Sequence, residues 1–376
     1  MNRFDFTFQP PRTLERALLA LSAAGALALV AGFAFAPERA WANLLMVSFW
    51  LVSMGLTGSF FVGLQYACGA GWAVAFRRIP EAMTAALPVG AAGLFAVFLL
   101  HPDLYPWMTR HAESAGFHAF WLNRPFFLLR SVIYFALWLG FSALLIRNSR
   151  RQDRDGGLQY TRRNIRLSVI YMAVFALTFW LASVDWIMSL EPEWVSTIFG
   201  IYHFSGMFAS GLAAIILLVL WLKRSPPLRD FINDEHVHDL GKLLFAFSTF
   251  WMYIFFSQYM LIWYANMTEE SVYYILRQQG VLGVLFVINV ALNWGVPFLI
   301  LLSSAAKKSP AILASMAVLI LIGRWLDLYL MIMPPLLHGT APLPWMEIGV
   351  IPGAMALFVL AFLAWFRRAP QAPVRD

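Results

Sequence analysis

The chain has 376 residues, of which 61% are hydrophobic and only 12% are charged, about half the charged fraction of an ordinary soluble domain. The mean hydropathy of +0.69 excludes a soluble enzyme, a disordered chain and a nucleic-acid-binding module, although the net charge of +7 alone would suggest the last. A single cysteine, Cys68, excludes a disulfide framework and a cysteine-ligated cluster within this chain. The composition therefore predicts an all-α polytopic membrane protein.

Ten apolar stretches are long enough to cross the roughly 30 Å hydrocarbon core of a bilayer as helices. They are continuously apolar rather than alternating, which argues against a barrel. The first resembles a signal peptide because it follows Arg12 and Arg16, but its apolar core is longer than a signal peptide needs, so we count it as a span. The predicted spans are Leu14–Ala36, Ala42–Tyr66, Met83–Leu100, Pro125–Ile146, Ile165–Leu190, Val195–Leu222, Leu240–Ala265, Val281–Ser303, Ala311–Ile332 and Glu347–Trp365.

The positions of the basic residues predict the orientation of these spans. Twenty-one of the 27 Lys and Arg residues lie at the two termini or in loops after even-numbered spans, five lie on the other side, and Arg324 lies inside a span. This asymmetry predicts that both termini are cytoplasmic. The net positive charge is then explained by basic residues that orient the protein in the membrane and attract anionic lipid. We therefore expect no nucleic acid as a partner. The five basic residues assigned to the other side are Arg39, Arg110, Arg124, Arg130 and Arg277.

We expect a single integral membrane domain over 1–376, with four-helix bundles over 42–190 (spans two to five) and 195–332 (spans six to nine) and with spans one and ten flanking them. The basis is an internal similarity, because Asp185 and Asp327 both lie near the outer ends of Trp- and Leu-rich spans that are four spans apart. Repeats of this kind are common in membrane folds, and chance similarity is the alternative. An external stretch, 101–124, predicts an interfacial helix or a docking surface. Its aromatic residues are Trp107, Phe117, Phe120 and Trp121.

We take four ionisable residues as lying within the bilayer, where a charge is costly and needs a partner or a purpose. They are Asp185, His203, Arg324 and Asp327. Arg324 and Asp327 share one helix face at i, i+3 spacing, so a structural ion pair is one interpretation. A proton relay or a quinone-head contact is the other, since Asp185 and His203 lie at similar depth and histidine titrates near neutrality. A lone helical histidine is also commonly a hydrogen-bonded packing residue.

Span seven adds a polar stripe of Thr249, Tyr253 and Ser257, with Gln258 beside it. The stripe suits a hydrogen-bonded water chain, but hydroxyls of this kind also bond to their own helix and help helices pack. Asn289 and Asn293 in span eight are ambiguous in the same way. The candidate proton-transfer residues are Asp185, His203, Arg324, Asp327, Tyr253, Ser257 and Gln258.

The sequence predicts no metal or redox cofactor on this chain. A bis-histidine haem needs two intramembrane histidines, and only His203 qualifies, while Cys68 forms no C-x-x-C-H motif for haem c. His236 and His238 lie in a charged loop, where a solvated surface is a better interpretation than a metal site.

Four segments together resemble one family, the NrfD/polysulfide-reductase-like integral membrane subunits, and within it the F subunits of bacterial alternative complex III. The segments are 182–206, 255–270, 293–298 and 323–328. The resemblance covers most of the chain, ten spans agree with it, and 263–270 is its most specific part.

The resemblance implies a subunit of a respiratory quinol:electron-acceptor oxidoreductase, with cytochrome c or a similar acceptor, in the bacterial cytoplasmic (inner) membrane. Haem c, iron–sulfur clusters and quinol would belong to the partners: an iron–sulfur subunit, an NrfD-like paralogue and haem c subunits, with a terminal oxidase as a further partner. This chain would scaffold them and conduct protons, without redox chemistry of its own. The alternatives are a purely structural anchor, a quinone-binding subunit and, from another class, a stand-alone secondary transporter.

Overall fold

The protein, represented by a computed structural model, is described over residues 8–109, 120–337 and 345–368. Over these ranges it is all-α and has no strand, and ten helices are long and apolar enough to cross a membrane, which confirms the predicted fold class. The ten helices are α1 (Arg12–Phe35), α2 (Pro37–Ala67), α3 (Arg78–Leu100), α4 (Arg124–Asp155), α5 (Gln159–Trp186), α6 (Phe199–Leu222), α7 (Asp234–Ala265), α8 (Gly280–Leu301), α9 (Pro310–Leu336) and α10 (Trp345–Phe366).

Short helices connect the long ones. They cover Gly71–Phe76, Pro102–Leu104, Pro106–Thr109, Met188–Leu190, Pro226–Arg229, Thr268–Arg277 and Ser304–Lys308. In the stretch 101–124, for which an interfacial helix or a docking surface was predicted, Trp107 is buried and Phe120 is exposed. Phe117 lies outside the described residues.

The connection between α4 and α5 differs from the predicted loop. Helix α4 continues beyond Ile146 to Asp155 and ends where Gly156 takes a left-handed conformation (φ 69°). The facing polar side chains of the two helices bond to each other, with 2.9 Å between Asn148 Nδ2 and Asn164 Oδ1. The apolar run ends near Ile146, and the sequence predicts the end of the helix there. The helix continues because charged residues such as Arg are also good helix formers. The result is a helical hairpin that projects its arginines from one end of the bundle.

Helix α2 is the centre of the packing, because it contacts α3, α5, α6 and α9. Helix α4 packs on α5, α6 packs on α7 and α9, and α8 packs on α9, while α1 and α10 pack against each other. The last pair approaches closely at glycines: a Cβ added to Gly25 would lie 2.7 Å from Gly353 Cα. The contacts of α2 with α6 and α9 join the helices of the two predicted bundles, and the division itself stays a prediction.

Both terminal helices have their chain ends at the same end of the structure, since Arg367 after α10 pairs with Glu15 in α1. We call this the basic end, because it also carries Arg78 of α3 and the last turns of α4, where Arg150 lies 4.0 Å above the ring of Trp365 in α10. The candidate site lies towards the opposite end.

Candidate functional site

Asp185 near the end of α5 is fully buried and forms an ion pair with α4. Arg130 binds it through two nitrogens, at 2.9 Å (Nε to Oδ2) and 2.8 Å (Nη2 to Oδ1). Tyr134, one turn further along α4, donates its hydroxyl at 2.9 Å, and Trp121 donates its indole N–H at 2.9 Å. Four donors fill the capacity of a carboxylate. We call Asp185 and Arg130 the closed pair.

The count of basic residues assigned Arg130 to an external loop. The structure places it in a helix instead. It lies in the second turn of α4 and is 5% exposed. Its remaining nitrogen, Nη1, donates to the carbonyl of Trp121 at 3.0 Å, and its guanidinium lies 4.1 Å from the centre of the Trp121 ring. A buried guanidinium with all its branches in use is typical of a structural pair.

Asp327 in α9 is also a buried carboxylate, and its four donors come from four helices. Arg324 Nη1 pairs with it at 2.5 Å, as the i, i+3 spacing predicted. Tyr202 of α6 donates its hydroxyl, Trp251 of α7 donates its indole N–H at 3.3 Å, and Asn289 of α8 donates its amide at 3.1 Å. Helices α6, α7, α8 and α9, which form the predicted second bundle, thus each donate to a single carboxylate.

The amide of Asn289 is positioned by a local irregularity of α8. Residues Ala291–Gly295 form a π-helical turn, a feature that often occurs at functional sites. Pro297 has no N–H to give to the carbonyl of Asn293, so Ser248 of α7 donates its hydroxyl there at 2.6 Å. Asn293 in turn donates its amide to the backbone and side-chain oxygens of Asn289, at 3.0 and 2.7 Å. This leaves the Asn289 nitrogen to face Asp327.

The guanidinium of Arg324 lies directly against a glycine of α6. A Cβ added to Gly206 would lie 2.5 Å from Nη1 and 3.0 Å from Cζ. Only Nη1 of this arginine is used: Nε and Nη2 are buried and have no hydrogen-bond partner among the described residues. Arg130, by contrast, donates through all three of its guanidinium nitrogens.

His203 lies one turn before Gly206 on α6 and is fully buried. Neither ring nitrogen has a partner within the described part of the chain. Its ring packs against Phe49 (5.2 Å between centroids) and Phe199 (4.7 Å), and it lies within electrostatic range of Arg324. Buried polar groups in native proteins are nearly always satisfied, so unsatisfied ones call for a bound water, an ion or a functional role. We call His203, Arg324 and Asp327 the open cluster.

Two indoles beside the open cluster repeat its pattern. Trp325 follows Arg324 and stacks on Trp50 of α2, with 5.0 Å between ring centroids. Both are buried, and neither indole nitrogen has a partner in the described ranges. The Trp50 ring also contacts Phe358 of α10, at 5.8 Å between centroids, so these two unused donors lie where α2, α9 and α10 meet.

The structure does not join all the predicted residues into one group. His203, Arg324 and Asp327 lie together, whereas Asp185 takes its donors from α4 and from Trp121. Phe49 stands between the two sites, because its ring contacts both Trp186 and His203. The sequence interpretation missed Tyr202, Trp251, Arg130, Tyr134 and Trp121 as partners, and the signal for Arg130 was a charge only five residues after the start of a span.

The polar stripe of α7 is divided between two faces. Tyr253 is 64% exposed on the outside of the bundle, and the Ser257 hydroxyl donates to the Tyr253 carbonyl at 2.7 Å. Gln258 instead lies on the buried face with Trp251, and its amide has no partner among the residues described. Tyr253 and Ser257 are therefore not in contact with the open cluster through their observed bonds.

Beyond Asp327, two backbone carbonyls near the end of α9 accept hydrogen bonds from Arg277 of the short helix Thr268–Arg277. Pro334 and Pro335 cannot donate to the carbonyls four residues earlier, and Arg277 satisfies both, at 2.7 Å to Leu330 and 3.2 Å to Met331. Arg277 also pairs with Glu191 at 3.0 Å. It was assigned to the external charges, but it is 1% exposed. It joins the short helix Thr268–Arg277 to the end of α9 and to the segment that carries Glu191.

Aromatic rings surround one side of the Arg277 guanidinium. Its guanidinium lies 3.4 Å from the ring centre of Tyr273, which stacks on Trp194 at 4.1 Å. Burial raises the pKa of the Tyr273 hydroxyl, so this residue stays neutral at physiological pH.

The sequence matches no protein-family model and shows no significant similarity to a curated protein.

Proposed function

We propose that this chain is an integral membrane subunit of a bacterial quinol:electron-acceptor oxidoreductase of the alternative complex III type, and that it scaffolds redox subunits and exchanges protons at the open cluster. The observation that carries the second part is the set of four unpartnered nitrogens on His203 and Arg324. The first part rests on the sequence resemblance and on ten apolar helices with no separate soluble domain among the described residues.

The chemistry follows from the groups present. Asp327 is held by four donors and supplies a fixed negative charge, which the guanidinium of Arg324 balances. The unused edge of Arg324 offers two donors to an oxygen of water or of an anionic group. His203 beside it offers two unpartnered ring nitrogens, one as a donor and one as an acceptor, to a water that carries a proton. The open cluster thus combines an unpartnered imidazole with a fixed ion pair.

Three buried hydroxyls on the basic-end side of the cluster are engaged by their own helices. The hydroxyls of Ser53, Thr57 and Ser210 each donate to a carbonyl of their own helix. Helix packing accounts for such bonds. The geometry therefore favours exchange between the open cluster and the end where Arg277 lies.

The same proposal assigns the membrane and the partners. The basic end lies in the cytoplasm because Lys and Arg are retained on that side, which gives cytoplasmic termini in a bacterial inner membrane. Haem c, iron–sulfur clusters and quinol belong to the partner subunits. The closed pair acts as an anchor for α4 and α5, since its donors and acceptors are saturated.

Partnership is tested by purifying the tagged full chain from its native membrane in mild detergent. The proposal predicts haem absorbance and iron in the same gel-filtration peak, with quinol-oxidising activity. A colourless chain that elutes alone contradicts the assignment to a complex and favours a stand-alone transporter.

Proton exchange is tested in the purified complex with Asp327→Asn and, as the matched control, Asp185→Asn. Asp327→Asn removes the charge that fixes Arg324, so the protons translocated per electron decrease in the complex that assembles. Asp185→Asn lowers the yield of complex and leaves this ratio unchanged. An unchanged ratio for Asp327→Asn, or equal decreases for both variants, contradicts the proposed role of the open cluster.

A further inference from the structure

A cavity of about 610 Å³ lies at the basic end between α3, α4 and α10. Four arginines of α4 line it at i, i+3, i+4 and i+7, so they share one helix face. They are Arg147, Arg150, Arg151 and Arg154. The part of the wall further into the bundle is apolar, with Leu139 and Ala143 from the preceding turns of α4 and Leu87 and Pro88 from α3. The cavity is therefore cationic at one end and apolar along its length.

Arg150 packs on an aromatic ring in this cavity. Its guanidinium stacks 4.0 Å above the ring of Trp365, and its Nε and Nη2 atoms are buried without a partner among the residues that the structure describes. One carboxylate and three further guanidinium groups lie within electrostatic range of it, those of Glu81, Arg78, Arg154 and Arg368. This concentration of positive charge favours an anion.

The nearest carboxylates are already paired with other arginines. Arg78 binds Glu81 with one nitrogen and Asp153 with another, and it also donates to the hydroxyl of Ser149 at 3.0 Å. Arg77 lies 3.6 Å from Glu81. Glu81 and Asp153 are therefore engaged by Arg77 and Arg78, and Glu81 also lies within electrostatic range of Arg150.

We propose that the cavity binds one anionic phospholipid, with its phosphate among Arg147, Arg150 and Arg151 and an acyl chain along Leu139 and Ala143. Guanidinium groups bind phosphate oxygens through paired donors. Trp365 marks the depth of the headgroup region, where tryptophan is enriched. A soluble phosphate would use the arginines but not the apolar wall, so the lining favours a lipid.

The test compares the full chain in detergent with the variant Arg147→Gln/Arg150→Gln, with dioleoyl phosphatidylglycerol as the titrated lipid and native mass spectrometry as the readout. The matched control is Arg162→Gln/Arg163→Gln, which removes the same charge from exposed positions of α5 outside the cavity. Surface attraction supplies a similar increment for each basic residue. We therefore expect the cavity variant to bind at least about tenfold more weakly, because it also loses the arranged phosphate contacts. The control is expected to stay within about twofold. An equal decrease for both variants overturns the proposal, since it shows diffuse charge attraction.

A second variant separates a lipid from a soluble phosphate without removing charge. Ala143→Trp fills the apolar part of the cavity from an exposed position, so it does not disturb the core. The proposal predicts that it weakens phosphatidylglycerol binding, and that neither inorganic phosphate nor phosphatidylcholine displaces this lipid from the wild-type chain. Unchanged lipid affinity of Ala143→Trp, or displacement by inorganic phosphate at an equal concentration, overturns it.

Discussion

Asp185 and Asp327 are buried carboxylates near the ends of two helices, and each accepts four hydrogen bonds. The difference lies in the arginines. Arg130 donates through Nε, Nη1 and Nη2, whereas Arg324 donates through Nη1 alone. One site is saturated, and the other keeps unused donors beside an unpartnered histidine.

This comparison separates a structural role from a functional one better than burial does. A saturated ion pair is expensive to rearrange, because each broken bond leaves a buried polar group unsatisfied. The open cluster costs stability in its resting state, since its unused nitrogens are desolvated without compensation. Such a cost is expected where the groups serve exchange or binding.

The largest predicted effect comes from removing each arginine. Arg130→Met leaves Asp185 without its cation and should cost about 3–5 kcal/mol of unfolding free energy. Arg324→Met should cost less, because it also removes two unsatisfied nitrogens. Thermal unfolding of the detergent-purified chain measures the order. A greater loss for Arg324→Met would show that the open cluster is the main structural anchor.

Removing one tyrosine hydroxyl from each site tests whether the two carboxylates are equivalent. Tyr134→Phe and Tyr202→Phe each delete a hydrogen bond to a buried carboxylate, which should cost about 1.5–3 kcal/mol in both cases. Unfolding curves of the two variants should therefore nearly coincide. A loss confined to one variant would locate the difference in the carboxylates instead of the arginines.

Gly206→Ala tests how tightly the open cluster is packed. The added Cβ would lie 2.5 Å from Arg324 Nη1, and overpacking of this kind costs about 1–3 kcal/mol. Gly140→Ala in α4 is the control, since its Cβ would meet nothing within 4 Å; there, alanine should be neutral or stabilising by up to about 1 kcal/mol. Equal melting temperatures for the two variants would contradict the described position of Arg324.

The smallest effect is expected at the exposed stripe of α7. Ser257→Ala should change stability by less than about 0.5 kcal/mol and leave the protons per electron of the complex unchanged, because its hydroxyl donates to its own helix. Gln258→Leu is the comparison on the buried face of α7. A reduced ratio for Ser257→Ala would support the water chain along this stripe that the sequence suggested.

The sequence predicts the ten spans because twenty apolar residues are enough to identify a crossing helix. It also predicts the ion pair of Arg324 with Asp327, since the spacing is local. It does not predict the partner of Asp185, because Arg130 lies on another helix and looks like a loop charge in a one-dimensional count. The π-helical turn at Ala291–Gly295 and the lack of partners for His203 are likewise set by neighbouring helices.

The most direct measurement of the central claim is the number of protons translocated per electron in the purified complex with His203→Phe. Phenylalanine suits the surrounding Phe49 and Phe199 rings, and no hydrogen bond is lost among the described residues, so assembly and stability should be preserved. Ser168→Ala, which removes another buried polar atom that has no partner in the described structure, is the control. The account predicts a lower ratio for His203→Phe and an unchanged ratio for Ser168→Ala. An unchanged ratio for a fully assembled His203→Phe complex would contradict it.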